Sequence, residues 1–138
     1  MQSTKTKHLK IGSAGEYLTM FEIYMEGYKA LHSSGQSKYD IIIDTGSRMI
    51  KTQVKTTTKN TTAKHMQTFR YQICRRAGQK YLDPYEIDDF ELYAFACIPL
   101  RRVAFIPHKD INTSYKVTIR LEEFDFYTLS RAIKILTV

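Results

Sequence analysis

The N-terminal part of the chain carries hydrophobic and aromatic residues at the spacing of a helix. These residues recur every three or four positions from Gly12 or Ser13 to about Leu31, which predicts a first helix over this stretch. Ser13 and Glu16 have the spacing of a capping box, and Gly27 supplies a stop signal. The helical positions are Tyr17, Met20, Phe21, Tyr24, Met25 and Tyr28.

The pattern then changes to the spacing of strands. Residues 39–44 contain three consecutive isoleucines, which favour a buried strand, and Asp44 belongs to the turn that follows. Residues 49–55 alternate between two faces. The two segments predict an antiparallel hairpin in which Asp40 lies across from Gln53 and Lys55. One face of its second strand carries Ile50, Thr52 and Val54, and the other carries Lys51, Gln53 and Lys55.

The second half of the chain predicts further strands and a last helix. The apolar spacing becomes helical again from about Leu121. We therefore expect an α/β fold, a mixed β-sheet flanked by an N-terminal helix and a C-terminal helix, in one domain over residues 1–138. The elements expected between are a polar loop at 56–62, a strand at 69–74, a turn or short helix at 81–90, a central strand at 92–98, a return strand at 103–106 and an edge strand at 117–119.

The charge of the chain is unevenly distributed. The net charge is +7, and the segment between Asp44 and Asp83 holds nine cations and no acid. Such a segment favours a polyanionic partner such as nucleic acid. The cations are Arg48, Lys51, Lys55, Lys59, Lys64, Arg70, Arg75, Arg76 and Lys80.

Other sequence features narrow the class of protein. The chain has no signal-peptide pattern and no apolar run long enough for a membrane span, so we expect an intracellular, cytoplasmic protein without membrane contact. Cys74 and Cys97 lack the spacing of a metal site, and the histidines lack it as well. We expect both cysteines to be reduced thiols.

Asp40, Gln53 and Lys55 have the chemistry of a phosphodiester-cleaving site. A carboxylate with an amide or backbone oxygen can hold a hard divalent cation such as Mg²⁺. The cation would lower the pKa of an attacking water, and an adjacent ammonium would orient that water or share the charge of the transition state. The three residues together therefore predict metal-assisted hydrolysis.

These residues, in their order along the chain, also carry a resemblance to a known family. Glu16, Asp40 and Gln53-Val54-Lys55 resemble the motif of the PD-(D/E)xK nuclease superfamily, most closely its small single-domain branch that includes intron-encoded homing endonucleases, with Holliday junction resolvases as broader relatives. The likeness covers about residues 11–107 and includes "GSAGEYL", "YDIII", "QVKT" and "RRVAFIP". Two positions depart from the motif, since Tyr39 replaces its proline and Gln53 replaces an acid.

The resemblance implies a restriction-endonuclease-like core, with a C-terminal strand and helix at about 115–136. It implies that Asp40, Gln53 and the Val54 backbone carbonyl bind Mg²⁺, for which Mn²⁺ would substitute. Lys55 would position or deprotonate the attacking water, and Glu16 would act as a further acid, reaching the metal through water. Each residue also has a structural interpretation: Glu16 as a helix cap, Asp40 as a strand acid facing a turn, and Gln53 with Lys55 as a solvated strand face.

We therefore expect an endonuclease that hydrolyses double-stranded DNA, of the site-specific homing type. The alternatives are a structure-selective junction resolvase and a non-catalytic nucleic-acid-binding module on the same fold, with an RNA-binding domain as a more distant one. One site cuts one strand, so cutting both strands implies a homodimer or homotetramer. The residues expected to contact DNA are Lys51, Thr56, Thr57, Thr58, Lys59, Lys64, His65, Arg70, Arg75 and Arg76.

Overall fold

The computed structural model describes residues 4–35, 37–63, 66–74, 76–77, 80–81, 87–113 and 115–138. Within them the chain forms two α-helices and ten β-strands. Two short 3₁₀ helices, His108–Asp110 and Leu121–Phe124, precede and follow the last strand. The elements are α1 (Thr4–Met25), β1 (Lys29–His32), β2 (Ile41–Asp44), β3 (Met49–Thr57), β4 (Thr61–Ala63), β5 (Met66–Gln72), β6 (Arg76–Ala77), β7 (Lys80–Tyr81), β8 (Leu92–Cys97), β9 (Arg102–Pro107), β10 (Lys116–Arg120) and α2 (Leu129–Leu136).

The main sheet is mixed and has five strands in the order β1-β2-β3-β8-β9. β3 and β8 run parallel, and the other neighbouring strands run antiparallel. All six residues of β8 are buried, as expected for the apolar run that predicts a central strand. The expected mixed sheet with an N-terminal and a C-terminal helix is therefore confirmed.

Apolar side chains pack on both faces of the main sheet. One cluster joins α1 and α2 to the sheet and includes Ile23, Ile43 and Leu129. The other joins the sheet to a second sheet, ordered β10-β5-β4, and includes Phe69 and Ile119. Strand β8 contributes to both clusters, because alternate residues of a strand point to opposite faces. The sequence did not predict this second sheet.

The first helix differs from its predicted bounds at both ends. It runs over Thr4–Met25, so Ser13 and Glu16 lie in its middle and the expected capping box is wrong. Gly27 follows with a φ of 93°, a backbone conformation that glycine adopts at little cost, and this glycine ends the helix as expected. The predicted helix extended to about Leu31, but Lys29–His32 form strand β1 and pair with β2.

Later elements also differ in detail. The polar residues 56–62 are not a continuous loop, since β3 continues to Thr57 and β4 begins at Thr61. The single C-terminal helix expected from about Leu121 is divided, because the Thr128 hydroxyl accepts the Arg131 N–H at 3.2 Å and starts α2 as a new helix. The strands expected at 69–74, 103–106 and 117–119 correspond to β5, β9 and β10.

In the segment 81–90, residues 82–86 lie outside the described residues, and residues 87–89 form a turn. Among the helices that the structure describes, none has both the length and the apolar character needed to cross a membrane.

Candidate active site

Asp40 is held by the backbone where β2 and β3 begin to pair. Its N–H donates to the Thr52 carbonyl at 2.9 Å, and its carboxylate Oδ2 accepts the Val54 N–H at 2.9 Å. Its carbonyl accepts the Ser33 N–H at 3.0 Å. These bonds fix the carboxylate beside residues 52–54 of β3, as the predicted hairpin requires. The other oxygen, Oδ1, has no hydrogen bond to any described residue.

Gln53 and Lys55 lie on the face of β3 away from the helices. Their partners in the parallel register with β8 are Tyr93 and Phe95, both of which pack toward the second sheet. Gln53 is only 8% exposed, so it is not part of a solvated strand face. Within the described part of the chain its side-chain amide makes no hydrogen bond. Its amide atoms are not among the fully buried polar atoms that lack a partner, so water or a ligand can reach them.

Glu16 reaches this site because α1 lies very close to β3. A Cβ added to Gly15 would stand 1.8 Å from Thr56 Oγ1, so only glycine fits at this point of contact. The Thr19 hydroxyl donates to the Gly15 carbonyl at 2.8 Å on the same face of the helix. Since Glu16 lies in the middle of α1, its interpretation as a helix cap is wrong.

The two carboxyl groups share a partly dehydrated environment. Burial raises the pKa of Glu16 above its ordinary value, the negative charge of Asp40 raises it further, and His32 lowers it in part. Burial also raises the pKa of Asp40, against the lowering effects of the Val54 N–H, Lys55 and His32. Two acids whose charges repel each other are stabilised by a cation placed between them.

The pKa of Lys55 is shifted in the opposite direction. Burial lowers the pKa of its ammonium group, while Asp40 and Cys74 oppose that shift. Three ionisable groups with perturbed pKa values therefore lie close enough to interact, which is the usual condition of an active site. In contrast, the Asp44 carboxylate accepts the Gly46 N–H at 2.8 Å, and this bond forms the predicted turn.

A comparison with protein-family models matches residues 4–132 to the PD-(D/E)XK endonuclease model. The chain belongs to this endonuclease family. Its members generally use divalent metal ions. The solved structure of a bacterial homing endonuclease, I-Ssp6803I, matches with a TM-score of 0.71 at 16% identity, covering 99% of this chain and 95% of that one. At this identity the match shows the fold. A comparison with curated protein sequences gives no significant match.

The donor set of this PD-(D/E)XK endonuclease is suited to a hard cation. The free Asp40 oxygen and the Gln53 amide oxygen are the kind of ligand that Mg²⁺ prefers. Among the described residues no group of three or more histidine, cysteine and acidic side chains has the geometry of a metal site. A carboxylate, an amide and a backbone carbonyl all offer oxygen atoms, which a hard cation accepts, so the residues present fit the ion.

The cations between Asp44 and Asp83, here called the basic segment of the endonuclease, differ in what they contact. Lys51 is exposed, with its ammonium 5.3 Å from the centre of the Tyr39 ring, and Arg70 is exposed on β5. Arg48 binds the Glu91 carboxylate and the Leu136 carbonyl, so this cation serves the fold. Of Arg76 only the backbone is described, in β6. The remaining expected contacts Lys64, His65 and Arg75 lie outside the described residues.

A groove of about 370 Å³ adjoins Lys55. One wall comes from α1, and the other comes from the end of β3 and the turn after it. The four residues 56–59 that were expected to contact DNA line the second wall. The first wall could not be predicted from the sequence, since His8 and Gly12 belong to no recognisable motif. The lining residues are His8, Ile11, Gly12, Val54, Lys55, Thr56, Thr57, Thr58 and Lys59.

His32 is a second residue of this endonuclease that the sequence did not indicate. Its Nδ1 lies 3.8 Å from Glu16 Oε1, and its ring meets the Tyr17 ring edge-on at 5.4 Å. It reaches Glu16 only because Lys29–His32 forms a strand at the edge of the sheet. No spacing in the sequence could have shown this contact, because it depends on a strand that the helical pattern concealed.

Proposed function

We propose that this chain is a Mg²⁺-dependent endonuclease that hydrolyses double-stranded DNA, with the site-specific action of a homing enzyme and with Mn²⁺ able to replace Mg²⁺. The observation that carries the proposal is that, among the described residues, neither the Gln53 amide nor Asp40 Oδ1 has a hydrogen-bond partner, and that Lys55 lies on the same face of β3 as Gln53. The match to a homing endonuclease structure supports DNA as the substrate.

The geometry supports a role for each residue of the site. Asp40, Gln53 and the Val54 carbonyl would hold the cation, which when bound supplies a water of lowered pKa and positive charge beside the phosphate. Lys55 would orient the attacking water and stabilise the charge that develops on the phosphate. Glu16 would hold a proton or a water on the helix side. Because the pKa of each carboxyl group is raised, a bound cation would lower both pKa values and favour the charged carboxylates.

The DNA backbone would enter the groove beside Lys55. Threonine hydroxyls and Lys59 on its β3 wall are suitable donors to phosphate oxygens. Arg70 and Lys51 would extend the positive surface, and the other residues expected to contact DNA would add to it. Residues 1–138 would act as one nuclease domain, and a homodimer or homotetramer would bring two sites to the two strands.

Substitutions at the site test this proposal. Asp40→Ala and Lys55→Ala should abolish Mg²⁺-dependent nicking of duplex DNA while changing DNA affinity by less than about tenfold, roughly 1.4 kcal/mol. Asp44→Asn is the matched control, because it alters the acid at the far end of β2, which only forms the turn. Unchanged nicking by either site variant would contradict the assignment of the site.

Choice of substrate separates the proposal from its alternatives. A four-way junction cut much faster than a linear duplex of the same sequence would favour a junction resolvase. Tight DNA binding without cleavage of any substrate would favour the non-catalytic module, for which the replacement of an acid by Gln53 is the specific observation.

A further inference from the structure

The turn that joins β8 to β9, residues 98–101, contains a residue in an unusual backbone conformation. Arg101 has a φ of 54°, and no other residue except glycine has a positive φ in the part of the chain that the structure describes. Glycine adopts this left-handed conformation at little cost, whereas a side chain in it crowds the backbone and lowers stability. Residues held in this way are frequent where a protein binds a ligand.

The turn does not depend on the arginine side chain. The Arg101 N–H donates to the Ile98 carbonyl at 3.2 Å and closes the turn, so that carbonyl already has a partner when Arg101 Nη1 donates to it as well. Arg101 is exposed, and its Nη2 and Nε have no partner among the described residues. Its neighbour Arg102, in contrast, pairs with Asp125 at 2.5 Å. The charge of Arg101 is therefore available to an anion from outside the chain.

The turn between β8 and β9 lies beside the groove of the candidate active site. Strands β3 and β8 run parallel with Thr57 paired to Cys97, so their carboxyl ends meet at one edge of the sheet. The Ile98 N–H donates to the Thr57 carbonyl at 3.0 Å, and this bond joins the turn directly to a residue that lines the groove. Lys59 lines the same wall. Arg101 therefore belongs to the edge of the sheet at which the groove lies.

The charges at this edge suit the backbone of a nucleic acid. Lys55 and Lys59 line the groove, and none of the described residues that line it is acidic. Duplex DNA carries about one negative charge per 1.7 Å of its axis, so a strand in the groove would continue past its end and present further phosphates there. A planar guanidinium can bind two oxygens of one phosphate group. The bond from Nη1 to Ile98 holds the Arg101 side chain in place before binding, which lowers the cost of association.

We propose that Arg101 binds a DNA phosphate just outside the groove and so extends the DNA contact across the carboxyl end of the sheet to the turn between β8 and β9. This inference rests on the proposed function, in which DNA is the substrate. Lys55 is paired in register with Phe95 inside β8, whereas Arg101 lies beyond the end of that strand. The phosphate that Arg101 contacts is therefore a different one from the phosphate that is cut, and Arg101 acts in binding and not in the chemical step.

Fluorescence anisotropy of labelled duplex DNA in EDTA measures binding without cleavage. Arg101→Asn removes the charge, and asparagine tolerates the left-handed conformation. This variant should bind DNA roughly tenfold more weakly at low salt, and its logarithmic salt slope should be flatter than that of the wild type by about 0.9. Arg101→Lys keeps the charge and should keep the slope within about 0.3 of the wild type. A wild-type slope in Arg101→Asn would overturn the proposal.

Lys134→Gln is the matched control for the loss of one positive charge. Lys134 is exposed on α2 shortly before Leu136, whose carbonyl accepts a hydrogen bond from Arg48. Arg48 precedes the start of β3, so Lys134 lies toward the opposite end of this strand from the groove. Lys134→Gln should leave the salt slope unchanged. Equal flattening in Lys134→Gln and Arg101→Asn would mean that only the net charge matters, and the proposed contact would then be wrong.

Thermal unfolding separates a DNA contact from a structural role of the arginine. Because the backbone bond to the Ile98 carbonyl remains and asparagine tolerates the left-handed conformation, Arg101→Asn should have a Tm within about 2 °C of the wild type or above it. A larger fall in Tm would mean that the arginine serves the fold, which contradicts the proposal.

Single-turnover nicking in Mg²⁺ separates this inference from the proposed function. With protein in saturating excess, Arg101→Asn should nick duplex DNA at the wild-type rate, and half of that rate should require a higher protein concentration. A lower rate at saturation would place Arg101 at the reacting phosphate and contradict its role outside the groove. A wild type that binds DNA and never nicks it contradicts only the nuclease. A wild type that nicks, beside an Arg101→Asn variant with unchanged DNA binding, contradicts only the role of Arg101.

Discussion

Gly15 sets the distance between helix α1 and strand β3, and Gly15→Ala should disturb both the fold and the site. The added Cβ would lie 1.8 Å from Thr56 Oγ1, 2.7 Å from its Cγ2 and 2.8 Å from its Cβ. Rotation of the threonine moves the first two atoms but not its Cβ. Ordinary contacts between carbon atoms are about 3.5 Å or more, so α1 must move away from β3 by roughly 1 Å.

The size of the effect follows from two opposed contributions. Overpacking of this kind costs about 1 to 3 kcal/mol, and alanine in place of glycine inside a helix recovers about 1 kcal/mol. We expect a net loss of about 1 kcal/mol, which lowers Tm by about 3 °C for a chain of this length. Cleavage should fall much further, by about a hundredfold, because a displacement near 1 Å also carries Glu16 away from Asp40.

The assay combines thermal unfolding with single-turnover cleavage of duplex DNA in Mg²⁺. Gly12→Ala is the matched control, since a Cβ at Gly12 would meet nothing within 4 Å and should raise Tm through helix propensity alone. Thr56→Gly added to Gly15→Ala removes the clashing side chain and should recover much of the cleavage. Wild-type Tm and cleavage in Gly15→Ala would refute the close packing of α1 on β3.

Three further predictions concern single residues of the site and of the groove. Gln53→Glu adds a negative charge near Asp40 and should allow cleavage at a Mg²⁺ concentration roughly tenfold lower, equivalent to about 1.4 kcal/mol of metal binding. Loss of all cleavage in this variant would mean that the amide has a role that no carboxylate can fill. Lys59→Ala should flatten the logarithmic salt dependence of DNA binding by about 0.9, and an unchanged slope would remove Lys59 from the DNA contact. The pKa of Asp40 is raised in the folded chain, so the stability it contributes is complete below the ordinary carboxyl pKa and is lost as pH rises through the raised pKa. As pH rises from about 4 to neutral, the free energy of unfolding of metal-free Asp40→Asn should therefore fall less than that of the wild type. Denaturant unfolding measures both values. An identical pH dependence of the two proteins would contradict the burial of this carboxyl.

The hairpin of β2 and β3 was predictable because its signals are local. Three branched residues before a turn and strict alternation after it determine both strands and their pairing. The position of Asp40 beside residues 52–54 follows directly from that pairing. The central strand β8 was predictable for a similar reason, since a continuous apolar run is buried on both faces of a sheet.

Contacts between distant segments could not be predicted in this way. Residues Lys29–His32 follow a helical pattern closely enough to look like its last turn, but pairing with β2 makes them a strand. The proximity of His32 to Glu16 depends on that pairing. The closeness of α1 and β3 at Gly15 likewise depends on how two segments about forty residues apart pack together. Glu16 was identified as a residue of the site by the family resemblance and not by any local pattern.

The proposed function depends on the binding of a divalent cation by Asp40 and Gln53 beside Lys55. Titration of Mn²⁺ followed by electron paramagnetic resonance measures the bound ion directly, whether or not the DNA is cut. In the presence of duplex DNA, the wild type and the Asp44→Asn control should bind Mn²⁺, and Asp40→Asn should lose that binding. Equal Mn²⁺ binding by the wild type and Asp40→Asn would mean that Asp40 is not a metal ligand.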